Sequence, residues 1–119
     1  MGRETIDAAI LAHRGWVSRF KTGLEGINTE YFDLASTQDH HACDLAWWLR
    51  KDESREMLGP QAHEYIQAIH ARFHQICGLL GEQLNQRTTG QIYQERLAEL
   101  DSISKEIVRI LLRARDAFF

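Results

Sequence analysis

The chain has 119 residues, 44% hydrophobic and 26% charged, which is enough apolar material for one core and too little length for a second domain. Its formal charge of −3 provides no basic footprint for nucleic acid, whose phosphates reward a cationic face. No run of about 18 apolar residues occurs and Met1-Gly2-Arg3-Glu4 does not begin a secretory signal, so neither membrane insertion nor export is expected, and Cys43 and Cys77 are expected as reduced thiols in the cytoplasm.

The single proline, against a usual content of about 5%, leaves long stretches free to be helical and predicts an all-α fold. Ile6, Ala9, Ile10, His13, Trp16, Val17, Phe20 and Leu24 recur at steps of three and four, predicting an amphipathic helix from about residue 4 to 25. From Ile27 to His40 that period fails and turn-forming residues accumulate, predicting a connecting loop. A short helix carrying Cys43, Leu45, Ala46, Trp48 and Leu49 follows and ends near Lys51-Asp52. Gly59-Pro60 restarts the helix, because proline fits a first turn where its missing N–H would have had no partner. The third helix then runs to about Arg87, with a stripe of Ala62, Tyr65, Ile66, Ile69, Phe73, Ile76, Leu80 and Leu84, and with His70 and His74 directly beside it. After Thr88-Thr89-Gly90, a fourth helix reads through Tyr93, Leu97, Leu100, Ile103, Ile107, Ile110, Leu111, Ala114 and Phe118, without a histidine or a cysteine. Three long helices and one short one predict an antiparallel four-helix bundle.

Four side chains of this predicted bundle form a donor set for zinc: His13 on the first helix, Cys43 on the short one, His70 and His74 on the third. The spacing of His70 and His74, four apart on a helix, projects both imidazoles from one face, one turn apart. A thiolate with imidazoles suits Zn2+, a borderline-soft ion bound tetrahedrally by sulfur and nitrogen. His63 lies on the same helical stripe as His70 but about 10 Å away along the axis at 1.5 Å per residue, out of reach of one shared ion. Cys77, one turn beyond His74, is an alternative sulfur. His40 and His41 are expected to be solvated, with a secondary chance of assisting, and Lys105, Arg109 and Arg113 read as a solvated basic stripe.

The runs His13-Arg14-Gly15-Trp16, Cys43-Asp44-Leu45-Ala46-Trp47-Trp48-Leu49 and His70-Ala71-Arg72-Phe73-His74 resemble, in order and separation, the chemoreceptor zinc-binding (CZB) domain family of bacterial signalling modules. The resemblance covers nearly the whole chain. It implies that His13, Cys43, His70 and His74 ligate Zn2+ and that Trp16, Trp48 and Phe73 pack around the site. It also implies a homodimer that works with a signalling output domain or partner protein, in chemotaxis or cyclic-di-GMP signalling, with hypochlorous acid as an oxidant of Cys43. Ala46 departs from the family, which commonly has glycine there.

Four protein ligands leave no open position for water or substrate, so a regulatory or structural ion is expected and an enzyme is not. The zinc-protease pattern fails at Gln67 of His63-Glu64-Tyr65-Ile66-Gln67, where a second histidine is needed. A purely structural zinc and a metal-independent helical dimerisation module compete with the regulatory reading. A hemerythrin-like di-iron bundle is weaker than either, since the fourth helix offers no histidine and the first only His13.

Overall fold

The computed structural model describes residues 2–25, 44–87 and 90–118. The predicted loop over 27–40, together with His40, His41, Cys43, Thr88 and Thr89, lies outside the described residues, as do the side chains of Leu24 and Phe118. Every element among the described residues is helical: α1 (Gly2–Glu25), α2 (Asp44–Leu49), α3 (Asp52–Leu58), α4 (Pro60–Asn85) and α5 (Gln91–Phe118). None is long and apolar enough to cross a membrane.

The expected short helix, α2, ends just before Lys51 as predicted, and a further helix, α3, follows where none is predicted. Lys51 takes an extended conformation, φ −79° and ψ 144°, which breaks the helix. Asp52 and Glu53 then open α3, where carboxylates favour the positive end of the helix dipole. Ser54 secures the break. Its buried hydroxyl lies 3.1 Å from the Leu49 carbonyl at the end of α2 and 2.7 Å from that of Lys51, which also accepts the Ser54 backbone N–H, so one hydroxyl hydrogen is shared across the junction. Gly59 separates α3 from α4 at φ 83°, in the left-handed region that favours glycine. Pro60 begins α4 as the sequence predicts.

The core has two clusters. Ile6, Ile10, Leu45, Trp48, Ile66 and Leu111 represent the first, where α1, α2, α4 and α5 meet. Phe20, Phe73, Cys77, Leu80, Tyr93 and Leu100 represent the second, farther along α1, α4 and α5. Ile103 packs against both. Burying such side chains contributes about 1.5–3 kcal/mol each before conformational entropy is counted. Lys21 pairs with Asp101, and both Arg72 with Glu99 and Arg115 with Asp7 at 3.0 Å hold α5 to its neighbours. These half-exposed pairs are worth about 0–1 kcal/mol apiece.

Ile66, Phe73, Ile76 and Leu80 of the predicted α4 stripe are buried, and Tyr65 is the member that departs from it. Tyr65 is 47% exposed, and its hydroxyl donates to Glu106 at 3.5 Å. His63, His70 and His74 occupy the buried face, alongside Ile66, Phe73 and Cys77. Three histidines with polar or aromatic partners can occupy a core that orphaned polar groups cannot.

Candidate metal centre

Between the two clusters lies a group of buried imidazoles. His13 follows Ile10 by three residues on the inner face of α1, and His70 and His74 lie between and beside Ile66 and Phe73 on α4. Relative exposures are 3% for His13 and 1% for each of His70 and His74.

The i,i+4 spacing brings the His70 and His74 rings together at right angles, with centroids 4.7 Å apart and planes at 89°. Their Nε2 atoms face each other at 3.2 Å. Two nitrogens bound to one tetrahedral zinc at about 2.0–2.1 Å would stand about 3.3–3.4 Å apart, so the pair is spaced to share one ion. The same distance suits one ring N–H donating to the other ring.

Aromatic side chains enclose the pair. The Phe73 ring lies 5.2 Å from His13, 5.3 Å from His74 and 6.5 Å from His70. The Trp16 ring meets His74 edge-on at 4.7 Å and stacks on Phe20 at 5.3 Å. Such a wall excludes water and strengthens electrostatic interactions inside it. Trp16 and Phe73 thus stand where the sequence motifs suggest. Trp48 belongs instead to the first cluster, with Ile6, Ile10 and Ile66, and its buried Nε1 has no hydrogen-bond partner among the described residues.

His13 approaches from α1. Burial, then His74, then Arg14 lower its pKa from 6.5 to about 4, so at neutral pH the ring is uncharged and keeps the lone pair a metal needs. Its Nε2 lies 3.1 Å from Ser104 Oγ on α5. Among the described residues no group of three His, Cys, Asp or Glu side chains stands close enough to hold one ion, so His13 lies near the His70–His74 pair without closing on it.

His63 is committed elsewhere. Its Nε2–H donates to the Leu49 carbonyl at 2.6 Å, beside the Ser54 hydroxyl on the same acceptor. Cys77 is a free thiol, fully buried beside Phe73 and Leu80 in the second cluster, and burial pushes its pKa far up. A protonated thiol in an apolar setting is a poor metal ligand, and Cys77 completes no three-residue group with the histidines. Cys43 immediately precedes α2, whose Leu45 and Trp48 pack against α1. Lys105, Arg109 and Arg113 are exposed as expected, with Arg109 donating to Glu106 at 2.6 Å.

Neither a known protein family, a curated protein nor a solved structure matches this chain.

Ser104 is the polar contact that motif reading misses. It interrupts the apolar stripe between Leu100 and Ile107, one turn from each. A serine inside a buried stripe is itself a signal, because its hydroxyl needs a partner there.

Proposed function

We propose that this chain is a zinc-binding regulatory module of the CZB type, in which His13, Cys43, His70 and His74 hold Zn2+ in a closed site. The observation that carries the reading is the 3.2 Å separation of the His70 and His74 Nε2 atoms in a water-excluded aromatic cage. The neutral His13 ring adds a third nitrogen close by. Closing the set requires His13 to move toward the pair, so metal occupancy would draw α1 onto α4, with Cys43, next to α2 in the chain, as the fourth ligand. A site filled by four side chains has no position for substrate, and the module is a sensor rather than an enzyme.

Bound zinc would hold Cys43 as a thiolate. Attack of that sulfur on hypochlorous acid forms the sulfenic acid, releases chloride and weakens the Cys43 contact to the ion. The bundle is antiparallel and homodimeric in this reading, acts in the cytoplasm, and passes its state to a signalling output domain or partner of the chemotaxis or cyclic-di-GMP type.

Metal analysis of protein purified without added zinc tests the assignment. One zinc per chain is expected, with strong loss in Cys43→Ser and in His74→Ala; undiminished stoichiometry in either variant would sink it. The competing reading is a metal-independent helical module, favoured by the fact that the two Nε2 atoms also stand at hydrogen-bond distance. It requires metal-free protein with unchanged helicity and unfolding in chelator. Between the zinc roles, complete unfolding on chelation marks a structural ion, whereas a folded but rearranged metal-free protein marks a switch.

A further inference from the structure

We propose that Ser104 of α5 is a positioning residue for His13, accepting the hydrogen of Nε2 so that the ring offers Nδ1 to a metal. The inference rests on the zinc reading and deepens it by naming the coordinating nitrogen and the helix that selects it.

Three helices converge on the His13 ring. It stands on α1, Phe73 of α4 lies against it at 5.2 Å, and Ser104 of α5 takes Nε2 at 3.1 Å. A neutral imidazole has one N–H and one bare nitrogen. A ring that binds an ion through Nδ1 carries its proton on Nε2, and in that tautomer Nε2–H donates to the Ser104 hydroxyl 3.1 Å away; the opposite direction, Ser104 donating to Nε2, would put the proton on Nδ1 and is the outcome the test excludes. Partners of this kind fix the tautomer and ring orientation of metal-bound histidines, and their loss costs about 10–100-fold in metal affinity. The contact also gives α5, which contributes no histidine or cysteine, a direct connection to the site. Movement of His13 toward the His70–His74 pair is then felt at Ser104 and along α5.

Zinc affinity measured by competition with a chromogenic chelator tests the proposal. Ser104→Ala is expected to bind zinc at least about 10-fold more weakly, with Ser104→Thr, which retains the hydroxyl, recovering most of the loss. Urea unfolding of both variants in chelator separates lost folding from lost positioning. In protein loaded with 113Cd and labelled with 15N-histidine, the metal–nitrogen coupling at His13 is expected on Nδ1. Wild-type affinity in Ser104→Ala, a loss that Ser104→Thr leaves unrescued, or coupling through Nε2 would each overturn the proposal while leaving the zinc reading intact. Failure of the wild-type chain to bind zinc or cadmium would overturn both.

Discussion

Replacing His13 with glutamine should remove a defined part of the protein's acid sensitivity. His13 is 3% exposed, and burial is the largest cause lowering its pKa from 6.5 to about 4. Since the folded value lies below the unfolded one, the unfolded chain binds the proton first as pH falls. The stability associated with the neutral ring is therefore fully present above about pH 7.5 and is lost as pH drops from the unfolded pKa toward the folded one. A shift of this size corresponds to about 3 kcal/mol once both states are protonated, and to about 2 kcal/mol at pH 5. Urea unfolding of wild type and His13→Gln, in chelator at pH 7.5 and pH 5, isolates this part because other titrating groups are common to both proteins. The stability difference, wild type minus variant, should fall by about 2 kcal/mol between those pH values. Two curves that decline in parallel, within about 0.5 kcal/mol, would refute a buried neutral His13.

Phe73→Ala should cost about 3–5 kcal/mol in urea unfolding, because a fully buried ring in contact with three histidines leaves a cavity its neighbours cannot fill; a loss under about 1 kcal/mol would show the cage to be loosely packed. Cys77→Ser should keep zinc stoichiometry while losing about 1–3 kcal/mol of stability, since the new hydroxyl enters an apolar cluster. Loss of zinc in that variant would identify the wrong sulfur as ligand. His63→Leu and Ser54→Ala each leave the Leu49 carbonyl one donor, so each single change should cost about 1 kcal/mol and the pair about 1 kcal/mol more than their sum. Strict additivity in a double-mutant cycle would mean that the two donors do not share that acceptor's satisfaction.

What can be read from the sequence follows the range over which each feature is encoded. The helix of α1 and its inner face are local, and Ile6, Ala9, Ile10, His13 and Phe20 are all buried at the spacing that predicts them. The His70–His74 pair is equally local, since a single turn of α4 sets it. On α4 the stripe through Ile66, Phe73, Ile76 and Leu80 is read locally, with His70 and His74 beside it, but how deeply each imidazole is buried is not a local property. Whether an imidazole can be buried depends on partners supplied by other helices: the Leu49 carbonyl for His63, and Trp16 for His74. The helix end near Lys51 is legible, but α3 after it is hidden for a related reason: Asp52 and Glu53 show themselves as the start of a helix only once Ser54 is placed against the carbonyls of Leu49 and Lys51. Ser104 extends the same logic to the site. A hydroxyl in a buried stripe announces only that a partner exists, and that partner, His13, is 91 positions away in the chain. Sequence periodicity can therefore nominate the donors and their faces, whereas the contact between His13 and Ser104 exists only once α1 and α5 have packed.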